Sequence, residues 1–215
     1  MHIVITGASR GIGAELAKRY RAAGHTVTGT GRRGGTGLVP LDVADPESVA
    51  AFAAGLDGRA VDLLVCNAGI YPDKGQALDS GYPAPMWAET FATNVTGVFL
   101  SVQALLPNLR AAGNARIAVI SSQMASHTRA PGGSYIYRAS KAAALNLGRN
   151  LAADLAPDGI AVGIYHPGWV RTDMGGDAAE IGVDEAAGGL IARFDALGMD
   201  DTGCFRTWDG REHAY

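Results

Sequence analysis

Two cysteines in 215 residues are too few for a disulfide framework. Cys66 and Cys204 lie far apart and show no metal-ligand spacing, so neither a stapled secreted scaffold nor a metal site is expected, and a reducing cytoplasm is the expected compartment. A basic surplus is missing too. The 18 Lys and Arg residues against 21 Asp and Glu leave a formal net charge of −3, which argues against a nucleic-acid or anionic-membrane partner. No apolar stretch reaches membrane-spanning length. The start, Met1-His2-Ile3-Val4, has no basic segment ahead of an apolar run, so no signal peptide is expected. Internal repeats and low-complexity segments are absent as well, which excludes solenoids and linker-like chains.

What is present is material for one sizeable core. Hydrophobic residues make up 47% of a chain whose length suits a single domain. Short apolar, β-branched runs at residues 2–6, 25–30, 38–41, 61–66, 116–121, 160–165 and 204–208 read as strands. Helical patterns occupy 11–23, 46–54, 87–110, 134–156 and 184–197. Asp45 and Pro46 form an N-cap and first-turn pair, and Pro107 is expected to bend or end the fourth-strand-following helix. Strands alternating with helices give an α/β fold: a single doubly wound Rossmann-type domain over 1–215, with a mostly parallel seven-stranded sheet flanked by helices. One connection is odd. Only seven residues, 31–37, join the second and third strands, whereas a parallel crossover usually takes a dozen or more and a helix. Either that helix is reduced to a turn or the third strand is misassigned.

In doubly wound sheets ligands bind beyond the carboxyl ends of the strands, so the loops after strands one, four, five and six carry the information. The first holds Gly7, Ser9, Arg10, Gly11, Ile12 and Gly13. Glycines there permit a sharp turn and close approach to a pyrophosphate, and the helix that follows points its positive end at the anion. A plain surface turn is the alternative, made less apt by the strand before and the helix after. An acid holding a ribose hydroxyl is expected about twenty residues past such glycines, and here it is lacking. Arg32 and Arg33 stand there instead, and with Arg10 they favour a 2′-phosphate, hence NADP(H), with NAD(H) possible. The competing reading is a solvated charge pair. Asp42 and Val43 are placed to meet an adenine edge, or Asp42 to cap the next turn.

The later loops add chemistry. Asn67-Ala68-Gly69 follows strand four, where Asn67 can bond the end of a neighbouring strand or be an ordinary strand exit. Cys66 reads as a small buried hydrophobe. Ser121 and Ser122 follow strand five, and adjacent strand residues face opposite ways, so at most one points at a site. Tyr137 and Lys141, four apart on a helix, share one face, and the ammonium is expected to lower the phenol's pKa toward that of a working proton donor. Gln123, His127, Tyr135 and Trp169 are candidate pocket walls, with His127 more in keeping with a solvated loop histidine.

The glycine loop, Asn67-Ala68-Gly69, Ser122, Tyr137 with Lys141, and Pro167-Gly168, in this order, resemble the short-chain dehydrogenase/reductase family, and most nearly a short bacterial branch similar to the C-factor and sniffer-type carbonyl reductases. The resemblance implies that Tyr137 exchanges a proton with the substrate oxygen, that Lys141 holds the nicotinamide ribose, and that Ser122 binds a carbonyl oxygen, with Ser121 and Ser134 as weaker candidates. Asn94 would position a water linking Lys141 to solvent, or be a core amide bonded to backbone. Pro167, Gly168, Val170 and Thr172 would border the nicotinamide. The implied reaction is hydride transfer between NADP(H) and a small carbonyl or alcohol, without a metal. The implied assembly is a homodimer or homotetramer. A nucleotide sensor of the C-factor type is the rival reading.

Overall fold

The computed structural model describes residues 1–215. In chain order its elements are β1 (His2–Ile5), α1 (Gly11–Ala22), β2 (Thr26–Gly31), β3 (Leu38–Pro40), α2 (Pro46–Gly55), β4 (Leu63–Cys66), α3 (Ala84–Phe91), α4 (Gly97–Ala111), β5 (Arg116–Ile120), α5 (Tyr135–Leu155), β6 (Ala161–His166), α6 (Val183–Ala196) and β7 (Phe205–Thr207). The strands form one sheet in the order β3-β2-β1-β4-β5-β6-β7. Every pairing is parallel, so the expected "mostly parallel" sheet is wholly so.

Alternate residues of the central strands feed two cores. Val4, Leu64, Cys66, Ile117, Val119, Val162 and Ile164 join one apolar cluster with side chains of α2, α4 and α5. Ile3, Ile5, Leu63, Val65, Ala118, Ile120 and Tyr165 join the other with α1 and α6. Because both faces are covered, these strands read as continuous apolar runs.

The short crossover is real, and its geometry explains itself. β3 pairs Leu38 with Gly29, so the chain steps back only two residues from Gly31. That is roughly 7 Å along the strand and 5 Å sideways. The six residues 32–37 span that easily, since an extended chain covers roughly 3.3 Å per residue. The reversal is made by Gly34, Gly35 and Gly37 at φ 64°, 137° and 73°, which side chains disfavour. No helix forms because none is needed.

The helical pattern at 87–110 is one rod with a defect. α3 and α4 are joined by a wider π-turn, Ala92–Thr96, centred on Asn94. Pro107 neither ends nor breaks it; α4 continues to Ala111. Pro107 and Gln103, whose carbonyl loses its helical donor, both lie on the exposed side, open to solvent.

Candidate active site

The loops after β1, β4, β5 and β6 converge at the carboxyl edge of the sheet. The first two are knotted together. The Thr6 hydroxyl accepts from the amides of Asn67 and Ala68 at 3.0 and 3.1 Å and donates to the Val65 carbonyl. The Asn67 side chain donates to the carbonyls of Thr6 and Gly7, both at 3.0 Å. Asn67 therefore does what its position suggested, tying strand four's exit to the glycine loop. A Cβ on Gly7 would lie 2.8 Å from Ala68 Cα, and one on Gly13 would lie 2.4 Å from Gly7 O and 2.5 Å from Asn67 Nδ2. Side chains at these two positions would push the two loops of the cradle apart.

The rest of the cradle suits an anion. α1 starts at Gly11 with no acidic residue in its first turn and no side-chain cap from Arg10, so its leading N–H groups face outward at the positive helix end. Ser9 lies over Gly31, and Ile12 packs on the second core. Arg32 and Arg33 are exposed at the carboxyl end of β2. Arg10 is engaged: its guanidinium donates to Asp173 Oδ2 at 2.6 Å, with the two side chains 75% and 73% exposed. An ion pair that open to solvent is worth little and releases easily. Asp42 caps the next turn, accepting the Ala44 amide at 3.0 Å, and Val43 is buried against Gly97. The capping reading of Asp42 thus describes its present bonding. These features fit a dinucleotide with an extra phosphate on its adenosine side.

Tyr137 and Lys141 lie on the buried face of α5, beside the end of β5. Ser121 and Ser122 separate as strand alternation demands. The Ser121 hydroxyl turns away and donates to the Lys141 carbonyl at 2.9 Å. The Ser122 hydroxyl accepts the Met124 amide at 3.1 Å and lies close enough to the Tyr137 phenol to lower its pKa. Met174 Sδ, on the loop after β6, comes within 3.9 Å of the phenol oxygen. Ser134 sits at the approach to α5, bonded to Tyr71 at 2.5 Å.

The electrostatics differ from the expectation. Burial raises the Tyr137 pKa above its ordinary value; the Ser122 hydrogen bond lowers it, while Tyr71 and Asp73 add to the rise. The Lys141 ammonium makes no hydrogen bond to the phenol: it donates to the Ile120 carbonyl at 2.9 Å and stands 5.6 Å from the Tyr137 ring centre. Burial pulls the Lys141 pKa from 10.5 down to about 8. The Cys66 thiol is pushed up to about 12 by burial, in keeping with a packing role.

Asn94 lies 2% exposed beside this pair. Its Oδ1 accepts the Ile70 amide at 2.8 Å, and its Nδ2 donates to the Ile70 carbonyl at 2.9 Å and to Ser140 Oγ at 3.0 Å. The amide is spent on protein groups, so the core-amide reading describes it. A Cβ on Gly69 would stand 3.3 Å from Asn94 Oδ1 and 3.5 Å from Lys141 Nζ, which places this loop against both.

The loop after β6 closes the far wall. Thr172 rests on Gly11, and its hydroxyl is used within the loop, on the Val170 carbonyl and the Gly175 amide. Val170 is buried and bridges to Ile181. Pro167-Gly168 turns the chain out of β6. Beyond Gly168 and Gln123 opens a cavity of about 440 Å³, lined also by Trp169, Arg129 and His166; neither Ser122 nor Tyr137 lines it. Burial first, then His213, drops the His166 pKa to about 3. His127 is exposed at the surface.

Two residues of this site escaped the sequence reading: Tyr71, whose ring stacks on Tyr137 at 4.1 Å, and Asp73, which accepts the Tyr137 amide. Both follow Asn67-Ala68-Gly69 in a loop already marked as informative. Their types alone gave no sign that they reach forward to α5.

Comparison with known proteins agrees with this geometry. Residues 1–181 match the family model described as short chain dehydrogenase. The C-signal protein of Myxococcus xanthus is 37% identical over 163 residues, covering 75% of this chain and 97% of the relative. The 3-oxoacyl-[acyl-carrier-protein] reductase FabG of Escherichia coli is 32% identical over 186 residues, covering 80% and 74%. Among solved structures, an NADPH-bound carbonyl reductase from chicken fatty liver superposes with a TM-score of 0.89 at 31% identity, covering 100% of this chain and 98% of the other. The Sniffer carbonyl reductase of D. melanogaster gives 0.90 at 26%, covering 100% and 99%. With its Rossmann-type sheet, glycine cradle and Tyr137–Lys141 helix face, the chain belongs to the short-chain dehydrogenase family of oxidoreductases.

Proposed function

We propose that this protein is an NADPH-dependent carbonyl reductase that reduces a small ketone or aldehyde, or oxidises the corresponding alcohol. The observation that carries the reading is that Tyr137 and Lys141 share the buried face of α5 beside Ser122 at the end of β5, on the same edge of the sheet as the glycine cradle. When bound, the reduced nicotinamide supplies hydride to the carbonyl carbon. Ser122 orients the carbonyl oxygen by donating a hydrogen bond that strengthens as negative charge develops there. Tyr137 delivers its proton to the same oxygen, completing the alcohol. A phenol whose pKa is held high by burial keeps that proton at neutral pH until the alkoxide forms. Lys141 braces the site from Ile120 and is placed to hold the nicotinamide ribose, with Pro167, Gly168, Val170 and Thr172 around the ring. Asn94 braces the Ile70 backbone to α5; a water relay through its side chain would have to displace one of its present bonds. The exposed Arg32 and Arg33 would take the 2′-phosphate, joined by Arg10 once Asp173 lets go. We infer a homodimer or homotetramer joined through the long helices, where Phe99 of α4 is 41% exposed; light scattering decides that assembly.

The C-signal relative favours a second reading, a nucleotide-binding signalling or sensor protein with little turnover. One experiment separates the two. The protein is mixed with NADPH and a panel of ketones and aldehydes, and loss of the reduced-nicotinamide absorbance is followed. Turnover that falls by about 10²–10⁴-fold in Tyr137→Phe is the expected result. Tight NADPH binding without turnover on any member of the panel would move the conclusion to the sensor.

A further inference from the structure

Helix α5 begins without a cap of its own. Ser134, the residue before its first turn, stands in the left-handed region at φ 48° and makes no side-chain bond to the helix amides. Its hydroxyl goes to Tyr71, and its amide donates to the Tyr82 hydroxyl at 3.1 Å. The first-turn amides of Ile136 and Tyr137 are aimed elsewhere, at Asp73 Oδ2, at 2.9 and 3.2 Å. Asp73 comes from the loop after β4 and is 0% exposed. Its second oxygen, Oδ1, is buried with no protein donor. Burying a carboxylate is costly unless something compensates it. Here the compensation is two amides and the positive end of a 21-residue helix. One of those amides belongs to Tyr137 itself.

We propose that Asp73 is a positioning residue for Tyr137: it fixes the helical turn that carries the phenol and sets a negative charge beside it. Only the catalytic consequence rests on reading Tyr137 as the proton donor; the placement stands on the hydrogen bonds. The groups facing Tyr137 are Lys141 one turn along α5, Tyr71 and Asp73 from the loop after β4, Ser122 after β5, and the uncharged Met174 after β6. Asp73 is the one carboxylate among them, and it acts against phenol ionisation, in the opposite sense to Ser122. Lys141 stands 5.6 Å from the ring centre and donates to the Ile120 carbonyl rather than to the phenol or to Asp73. Asp73 thereby helps Tyr137 retain its proton until a substrate oxygen demands it.

The test reads the phenol directly. 3,5-Difluorotyrosine, which ionises more readily than tyrosine, is incorporated at position 137, and its titration is followed by fluorine NMR in the cofactor-free protein, with and without Asp73→Asn. The asparagine keeps an oxygen for the two amides and removes the charge. The titration midpoint should fall by on the order of one pH unit; an unmoved or raised midpoint in the folded variant overturns the proposal. Should the variant fail to fold, amide exchange in the unaltered protein still decides. First-turn helix amides ordinarily lack partners and exchange fast, so protected Ile136 and Tyr137 amides support the cap, and fast exchange there overturns it. With an active substrate in hand, the basic limb of the reduction rate should also move to lower pH in Asp73→Asn. Absence of any turnover would defeat the carbonyl-reductase reading while leaving the titration and the exchange measurement to judge Asp73.

Discussion

Asn94→Ala tests whether the buried amide is a brace or a water holder. Alanine removes three contacts: the bond accepted from the Ile70 amide, the one donated to the Ile70 carbonyl and the one donated to Ser140. Ser140 keeps a partner, because its hydroxyl still donates to the Tyr137 carbonyl at 2.8 Å. Two backbone groups of Ile70 are then left without partners. Each orphaned buried group costs about 1–3 kcal/mol. Ile70 is only partly buried, which sets the pair near the lower half of that range, about 3 kcal/mol together. For a chain of this size that corresponds to a drop in Tm of roughly 6–12 °C. The assay is thermal and urea unfolding of the cofactor-free protein, where no catalytic role contributes. A loss below about 1 kcal/mol would refute the brace, since a side chain that merely holds a water makes no such contribution to the fold.

Three further outcomes follow from the same geometry. Lys141 titrates near 8 when folded and at 10.5 when unfolded, so from about pH 8 upward the unfolded chain binds a proton that the folded one lacks. Stability should therefore rise between about pH 8 and 9, by about 1 kcal/mol, before the Cys66 and Cys204 thiols and then the buried tyrosines, whose protons the fold retains, reverse the slope; urea midpoints against pH should show the rise in the parent and not in Lys141→Met. Arg32→Ala should weaken NADPH binding by about 10- to 100-fold while sparing NADH, as loss of one charge-assisted hydrogen bond predicts; equal effects on both cofactors in a fluorescence titration would remove the 2′-phosphate assignment. Gly13→Ala should force Gly7 and Asn67 apart, destabilising the fold by about 1–3 kcal/mol and abolishing measurable dinucleotide binding by calorimetry.

Much of this architecture is legible in the sequence because its signals are local. Apolar runs bounded by glycine mark the buried strands, and Asp45-Pro46 marks the start of α2, where Asp45 accepts the Glu47 amide as a cap should. The split roles of Ser121 and Ser122 follow from strand alternation alone. What escaped was nonlocal or conditional. Asp73 meets Tyr137 across 64 positions, and no periodicity links a loop carboxylate to a distant helix end. The sign of the Tyr137 pKa change depends on burial and on where the Lys141 amine points, and spacing fixes neither. Pro107 looked like a terminator because its tolerance depends on which side of α4 meets water. The helix missing between β2 and β3 is absent because β3 begins only two residues behind the end of β2, a distance that glycines cover without it.

The π-turn at Ala92–Thr96 sets the phase of everything after it. It adds one residue to a helical turn, and each residue advances the helix by about 100°. α3 leans on α5, while α4 turns Val98, Val102, Leu105 and Leu109 into the core beneath β4 and β5. Removing one residue from the turn would restore an ordinary helix and rotate that whole stripe by more than a quarter circle, toward solvent. The rod behaves like a key with two bitted edges whose relative angle is cut at Asn94. Length changes that a surface loop would absorb are therefore excluded here, and Asn94 stands where the count of residues, as much as their kind, is fixed.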